Sequence, residues 1–262
     1  MNPIEQQCQK IKSAKRIGLM THVVVGYPDL ATTRQLVNMM AAGGVDFVEL
    51  QIPFSDPIGD GPVIREANAR ALQAGIRVSD AFRLAHQLVH EDKVVIPLLF
   101  MTYFNIPFVY GIEKFCADAA NVGVSGLIIP DYNLDMEAHE RFDSVCRKNN
   151  LILQRFASFD SDPERLKKHA KEAEGFIYCF STRGVTGTRN QLDSHLVEQL
   201  TRFRTIFSQP LAVGFGISTG EQIKALKGYV DIVVVGSALV RAFDEGGISL
   251  VDEKIQEFVM AL

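Results

Sequence analysis

The sequence predicts an α/β fold, a single (β/α)8 TIM barrel that spans residues 1–262. Its length suits one large barrel. Short apolar runs, rich in β-branched and aromatic residues, alternate with longer amphipathic stretches from one end to the other. No linker rich in Pro, Gly or Ser divides the chain, so we expect one domain with its functional residues at the C-terminal ends of the strands.

Eight apolar runs are predicted as strands, and amphipathic segments follow them. The predicted strands are residues 18–25, 47–52, 94–100, 126–130, 151–156, 175–180, 210–214 and 230–235. The predicted helices are residues 31–42, 78–90, 111–122, 136–149, 163–173, 194–208, 219–227 and roughly 250–261. An open doubly wound sheet is the alternative, but its first turn calls for a GxGxxG pattern, which residues 25–28 (VGYP) do not match.

Composition and charge exclude several classes of function. The formal net charge is −4 and the chain has no long basic run, so nucleic-acid binding is not expected. The four cysteines are scattered without CxxC spacing, which argues against a disulfide framework and a zinc site. The N-terminus lacks a signal-peptide pattern, and no apolar run is long enough for a membrane span. We therefore expect a cytoplasmic protein without a metal.

The second predicted strand carries an unusual carboxylate. Strand alternation places Val48, Leu50 and Ile52 on one face, and Glu49 on the other face with Gln51, towards the barrel interior. A carboxylate near the C-terminal end of such a strand suits a group that gives and takes a proton. An internal salt bridge, or a strand register shifted by one residue, is the alternative.

The loop after this strand, residues 53–62 (PFSDPIGDGP), contains two further carboxylates, Asp56 and Asp60. Its prolines and glycines indicate a structured loop, and Pro62 suits the first turn of a following helix. From the residues alone, both aspartates are best interpreted as turn or helix caps. Asp60, immediately before the helix, is also placed to face a ligand.

Two glycine-rich segments near the end of the chain suit an anion site. Residues 214–218 (GFGIS) follow the seventh predicted strand, and residues 236–238 (GSA) follow the eighth and open a short helical run, 238–243. In many barrels these loops bind a phosphate at the N-terminus of a short extra helix. A third loop, residues 182–189 after strand six, could complete the site. Ordinary tight turns are the alternative interpretation.

Aromatic and polar side chains at the predicted barrel mouth complete the set of candidates. Tyr178 lies on strand six, where its hydroxyl needs a polar partner such as Glu49, although core packing would also explain it. His22 on strand one is the histidine best placed for the mouth. Tyr103 follows strand three, and Asp131 follows strand four.

Taken together, these segments resemble the tryptophan synthase α subunit along nearly the whole chain. The most specific match is residues 49–62 (ELQIPFSDPIGDGP), which continues into residues 67–72 (ANARAL). Three short segments match in the same order: residues 184–187 (GVTG), 214–217 (GFGI) and 236–237 (GS).

The resemblance implies a retro-aldol cleavage of indole-3-glycerol phosphate to indole and glyceraldehyde 3-phosphate, in the last stage of tryptophan biosynthesis. Glu49 would be the main acid–base residue, Asp60 would accept a hydrogen bond from the indole N–H, and Tyr178 would position Glu49. The implied phosphate ligands are Gly187, Gly216, Gly236 and Ser237. The residues assigned to the indole pocket are His22, Phe100 and Tyr103.

The resemblance also implies a partner. No cofactor is expected in this subunit, whereas a β subunit would carry pyridoxal phosphate in an α2β2 complex and receive indole through a tunnel. Two departures from the family pattern stand out. His22 occupies a position that is usually apolar and contacts the indole, and Tyr132-Asn133 replaces a stretch that usually reads apolar residue, then Pro, and that helps to face the β subunit.

Three alternatives to this function remain at this point. The first is a free-standing indole-3-glycerol phosphate lyase, for which the departure at Tyr132-Asn133 is the only hint. The second is a degenerate subunit that acts as an allosteric activator, and retention of Glu49, Asp60 and Tyr178 argues against it. The third is another phosphate-binding barrel enzyme. A Schiff-base aldolase is disfavoured because no predicted strand interior contains a lysine.

Overall fold

The computed structural model describes residues 1–180, 194–214 and 216–262. All strand pairs within this part of the chain are parallel. The strands are β1 (Gly18–Val24), β2 (Phe47–Gln51), β3 (Leu98–Met101), β4 (Gly126–Ile128), β5 (in two segments, Ile152–Leu153 and Arg155–Ser158), β6 (Ile177–Phe180), β7 (Leu211–Val213) and β8 (Ile232–Val235).

The strands form a barrel in chain order. β1 pairs with both β2 and β8, so the first strand joins the last. The two segments of β5 are separated by Gln154 alone; the first pairs with β4 and the second with β6. This arrangement confirms the predicted TIM barrel and rules out the open sheet, whose first and last strands would not pair in this way.

Helices surround the barrel and cover one of its ends. They are α1 (Pro3–Ala14), α2 (Leu30–Ala42), α3 (Pro62–Gln73), α4 (Val78–His86, continued by a π-helical turn Gln87–Glu91), α5 (Asn105–Tyr110), α6 (Ile112–Asn121), α7 (Glu137–Glu140), α8 (Phe142–Lys148), α9 (Pro163–Glu172), α10 (Ser194–Ile206), α11 (Gly220–Ala225) and α12 (Ser237–Val259). The short helical run and the last helix of the prediction are both parts of α12, which is kinked at Gly247.

The third predicted strand began too early. β3 starts at Leu98 and not at Val94, because the Val94 N–H donates to the Leu88 carbonyl and closes the helical turn before it. Val95 is 90% exposed, so it has no place in a strand surrounded by helices. The apolar character of residues 94–97 therefore reflects a helix end and a connection, not a buried strand.

The core has two layers, separated by the sheet. Val48 and Leu50 pack outward against the helices, whereas Phe47 packs inward with Met20 and Leu99 in the barrel interior. Helix α1 belongs to the interior layer, since Ile4, Cys8 and Ile11 pack with the same cluster. It closes the end opposite the C-terminal ends of the strands, and no helix was predicted there from the sequence.

Two further observations concern the predicted cellular environment. Cys8, Cys116, Cys146 and Cys179 are all buried free thiols. Among the helices that the structure describes, none combines the length and the apolar character needed to cross a membrane.

Candidate active site

A cavity of about 530 Å³ opens at the C-terminal ends of the strands. Carboxylates, apolar side chains and glycines line different parts of it. Its lining includes His22, Glu49, Asp60, Met101, Ile128, Asp131, Phe156, Tyr178, Gly214, Gly216, Val234, Gly236, Ser237 and Arg241. The cavity thus lies where barrel enzymes carry their functional residues, and it brings together candidates from six strands and their loops.

Glu49 reaches this cavity from β2, as strand alternation predicted. Its side chain is only 2% exposed, and Oε2 lies 2.7 Å from Nδ1 of His22. Among the described residues, the other oxygen, Oε1, has no hydrogen-bond partner. A buried polar atom without a partner is costly, so Oε1 is available for a ligand in the cavity.

Asp60 faces the same cavity from the loop after β2. Its Oδ2 accepts a hydrogen bond of 2.6 Å from Nε2 of Gln51. Burial raises the pKa of Asp60, although the His22 charge and the Gln51 hydrogen bond act against this shift. The helix-cap interpretation is wrong for this residue, because Gly61 is the N-cap of α3. A carboxyl group in this position can accept a hydrogen bond from a ligand.

Tyr178 on β6 is placed in the cavity near both carboxylates. Burial, together with the charges of Glu49 and Asp60, raises the pKa of the Tyr178 hydroxyl well above its ordinary value. The hydroxyl therefore stays protonated at neutral pH and can donate a hydrogen bond. The ring packs against Phe156, with the ring centroids 5.4 Å apart.

Phe100, which was assigned to the indole pocket, lies on the wrong face of β3. Its ring packs edge-on against Phe82 and Phe115 among the outer helices. The reason is strand alternation: Leu99 and Met101 point inward, and Met101 is the residue that lines the cavity. The assignment of Phe100 is therefore wrong, and Met101 takes its place.

Tyr103 packs against the loop after β2, next to the cavity residue Asp60, and its place in the indole pocket stays a prediction. Its hydroxyl accepts a hydrogen bond of 2.9 Å from the Gly59 N–H. Its ring stacks on Phe54, with centroids 5.3 Å apart. Through its hydroxyl and its ring, Tyr103 thus holds the loop that carries Asp60.

Another part of the cavity wall suits an anion. Ser237 is the first residue of α12, and the first N–H groups of a helix lack partners within the helix. A Cβ at Gly236 would lie 3.1 Å from Cβ of His22, so a side chain is disfavoured there. Gly216 also lines this wall, with φ +67°. Gly187, the fourth predicted phosphate ligand, lies outside the described residues.

Sequence reasoning placed Gln51 inside the barrel but gave it no role. In the structure Gln51 is fully buried and bonds to both His22 and Asp60. Arg241 on α12, which lines the cavity, was not considered. Alternation along β2 was the available signal for Gln51, since it shares a face with Glu49. The described residues include no group of three or more His, Cys, Asp or Glu side chains arranged to hold a metal ion.

A barrel whose cavity is lined by both a buried carboxylate and a helix N-terminus defines a TIM-barrel enzyme for acid–base chemistry on a small anionic compound. Residues 8–260 match the family model of the tryptophan synthase alpha chain. The chain belongs to the tryptophan synthase alpha chain family.

Relatives and solved structures agree with this assignment. The chain is 43% identical to the tryptophan synthase alpha chain of Desulfotalea psychrophila, over 93% of this chain and 94% of the relative. It is 36% identical to the one of Caldanaerobacter subterraneus subsp. tengcongensis, over 100% and 98% of the two chains. A tryptophan synthase structure from M. tuberculosis superposes with a TM-score of 0.90 at 27% identity, covering 100% and 98%. The alpha chain from Legionella pneumophila subsp. pneumophila gives 0.90 at 28%, covering 100% and 97%.

Proposed function

We propose that this chain performs the lyase reaction of its family, the cleavage of indole-3-glycerol phosphate to indole and glyceraldehyde 3-phosphate, with Glu49 as the main acid–base residue. The observation that carries the proposal is a buried Glu49, whose Oε1 has no hydrogen-bond partner among the described residues, in a cavity with the N-terminus of α12 in its wall. An anionic phosphate bound at that wall would bring the rest of the substrate to the carboxylates.

The cleavage needs two proton transfers on the substrate. A proton is added to the indole carbon that bears the glycerol chain, and one is removed from the hydroxyl on the neighbouring carbon. As that carbon–carbon bond breaks, the hydroxyl oxygen forms a carbonyl and the bonding electrons return to the indole ring. We assign both proton transfers, the one to the indole carbon and the one from the hydroxyl oxygen, to Glu49. Asp60 accepts a hydrogen bond from the indole N–H, and Tyr178 donates one to fix the position of Glu49.

We assign the phosphate to the wall formed by Gly216, Gly236 and Ser237, with Gly187 as an expected fourth ligand. Backbone N–H groups at the start of α12 and the Ser237 hydroxyl supply donors. Arg241, on the same helix, adds a positive charge at the cavity lining. The indole would then lie among the apolar side chains of Met101, Ile128 and Phe156, which line the same cavity.

We further propose a β subunit as partner, in an α2β2 complex, with pyridoxal phosphate held by the β subunit. Membership of the family supports this. The departure at Tyr132 gives little support to a free-standing lyase, because Tyr132 is buried and its hydroxyl donates to Oε2 of Glu137. The tyrosine thus serves the chain's own packing. A biosynthetic role and four free cysteines support a cytoplasmic location.

Glu49→Gln tests the assignment of the acid–base residue. The amide keeps the size of the side chain but cannot take up a proton, so we expect the rate of indole release to fall by about 100-fold or more. Binding of glyceraldehyde 3-phosphate, measured by calorimetry, is expected to stay unchanged. Glu221→Gln, the same change at an exposed side chain, is the control. Wild-type turnover in Glu49→Gln would contradict the proposed role.

The same assay, with and without a β subunit, separates the alternatives. Strong stimulation of indole release by the β subunit is expected for an α chain that works in a complex. Rapid release without the β subunit would favour the free-standing lyase. Absence of turnover under both conditions would overturn the lyase proposal and favour an activator role.

A further inference from the structure

The two carboxylates of the cavity are joined by an unbroken chain of hydrogen bonds. Oε2 of Glu49 lies 2.7 Å from Nδ1 of His22, and Nε2 of His22 lies 2.9 Å from Oε1 of Gln51. Nε2 of Gln51 then donates to Oδ2 of Asp60 over 2.6 Å. The parallel pairing of β1 with β2 sets this up, because it places His22 directly beside Glu49.

Asp60 fixes which group donates and which accepts in each of these hydrogen bonds. An ionised carboxylate only accepts hydrogen bonds, so the amide N–H of Gln51 faces Asp60 and the amide oxygen faces His22. An amide oxygen also only accepts, so Nε2 of His22 must carry a proton. The contact with Gln51 therefore fixes a proton on Nε2 of His22.

The remaining contact, between Nδ1 of His22 and Oε2 of Glu49, must then contain one proton. Either His22 is an imidazolium beside a carboxylate, or it is a neutral imidazole that accepts from a carboxylic acid. In both cases the proton is shared on the Oε2 side. Oε1, the oxygen without a partner among the described residues, is left unprotonated, and Glu49 is one of the residues that line the cavity.

We infer that His22 is a positioning residue for the proposed reaction: it shares a proton with Glu49, keeps Oε1 free as a base, and is itself held by Gln51 and Asp60. This inference rests on the proposed function for its catalytic meaning, but the proton sharing can be measured without turnover. A positive charge on His22 also offsets the cost of an ionised Glu49 in a buried position.

The electrostatic surroundings of His22 agree with a retained proton. Burial alone would lower the pKa of His22, but the hydrogen bond to Glu49 and the charges of Glu49 and Asp60 outweigh burial and raise it. The other titratable or charged side chains that line the described part of the cavity are Asp131, Tyr178 and Arg241. The pKa of Asp131 is raised by burial, and Tyr178 stays neutral.

Nitrogen NMR of labelled histidine tests the sharing directly. In the wild-type chain His22 is expected to titrate above the ordinary histidine range. In Glu49→Gln the carboxylate is absent, and the titration of His22 is expected to move down by about one pH unit or more. His169 is the matched control, since it is also buried but bonds to the Phe156 carbonyl and not to a carboxylate. An unchanged His22 titration in Glu49→Gln would overturn the inference.

Kinetics of His22→Phe and His22→Gln test the consequence for catalysis. Both variants lack the titrating imidazole, so we expect their kcat–pH profiles to differ from that of the wild type. The alkaline part that reports His22 should disappear. His22→Gln keeps a hydrogen-bonding group, whereas His22→Phe does not. A higher kcat in His22→Gln than in His22→Phe, without the wild-type pH profile, would separate the positioning role of His22 from the effect of its charge.

The two sets of measurements fail in distinguishable ways. If the kcat–pH profiles of both variants coincide with that of the wild type, His22 only packs and the inference is wrong. If the NMR titration responds to Glu49→Gln but the chain releases no indole, the proton sharing holds and the proposed function fails. Circular dichroism of each variant shows whether the barrel has folded.

Discussion

At the scale of single residues, burial of an ionised acidic side chain in the cavity lowers the free energy of unfolding. Asp60 is the clearest case, because burial raises its pKa, so its ionised form is less stable in the folded chain than in water. The sign follows from this shift. Folding gains stability as the pH falls and Asp60 takes up a proton, and it loses that contribution as the pH rises above the pKa in the folded chain.

Asp60→Asn is therefore expected to lower activity and raise stability at the same time. The amide can still accept from Gln51, but it carries no charge, so we expect a gain of about 1 kcal/mol in the free energy of unfolding near neutral pH. The gain should shrink at acidic pH, where Asp60 is protonated in the wild type. Urea unfolding at several pH values and an indole-release assay measure both effects.

The control for this experiment is Asp252→Asn on the surface of α12. That carboxylate also accepts from a glutamine amide, Gln256, over 3.0 Å, but at an exposed position. Neither stability nor activity is expected to change with pH beyond the wild-type pattern. A loss of stability in Asp60→Asn near neutral pH would show that the carboxylate is not strained by burial.

Individual residues of the site differ in how far the sequence predicts their positions. Alternation along β2 was enough to predict that Glu49 points inward, because successive side chains of a strand point to opposite faces and Val48 and Leu50 face the helices. The same rule, applied to β3, would have excluded Phe100. The contact between His22 and Gln51 could not be predicted, because it depends on the pairing register of β1 and β2 and on side-chain conformations.

At the scale of elements, the sequence prediction omitted the short helix α5 and also α1. Asn2-Pro-Ile-Glu5 forms a capping box with proline in the first turn, so its signal was present. The side chain of Asn2 also donates to the carbonyl of Ser125 at 2.9 Å, which fixes the start of the helix to the barrel. That tertiary contact lies far away in the sequence, and propensity could not indicate it.

Ile4→Ala tests the role of α1. Ile4 is fully buried, and its methyl groups fill space that the missing side chains of Gly126 and Gly175 leave open. Removing them is expected to lower the free energy of unfolding by about 2–5 kcal/mol. The turnover of the folded protein at low temperature should not change, since the cavity lies at the other end of the barrel. Val95→Ala, at a position that is 90% exposed, is the control.

Denaturant unfolding followed by circular dichroism gives both stabilities. Equal midpoints for Ile4→Ala and Val95→Ala would mean that α1 contributes little to the core. A parallel loss of kcat and stability would mean instead that the covered end and the cavity are linked.

At the scale of the whole molecule, the two ends of the barrel differ in kind. One end is closed by α1, whereas the other carries the cavity and the exposed apolar residues of α5. Phe108 is 55% exposed and Val109 is 75% exposed on this helix, which follows β3 at the cavity end. Apolar side chains that are exposed together suit a protein partner. Helix α5 is therefore a candidate contact for the proposed β subunit.

Phe108→Asp is expected to reduce stimulation by a β subunit. A charge in an apolar contact should raise the Kd for the complex by about tenfold or more, while indole release without the partner stays at the wild-type level. Val95→Asp places the same charge just before β3, at the opposite end of that strand, and should leave the complex intact. Titration calorimetry gives Kd, and equal values for both variants would exclude α5 from the contact.

The chain of hydrogen bonds from Glu49 to Asp60 limits which single substitutions this sequence can accept. Replacing His22 alone by an apolar residue leaves the oxygen of Gln51 buried without a donor, and replacing Gln51 alone leaves a proton on His22 without an acceptor. Replacing both removes the two deficits together, so their effects are not additive. The two positions therefore behave as one heritable unit, and an evolutionary path that alters them singly passes through a less fit intermediate.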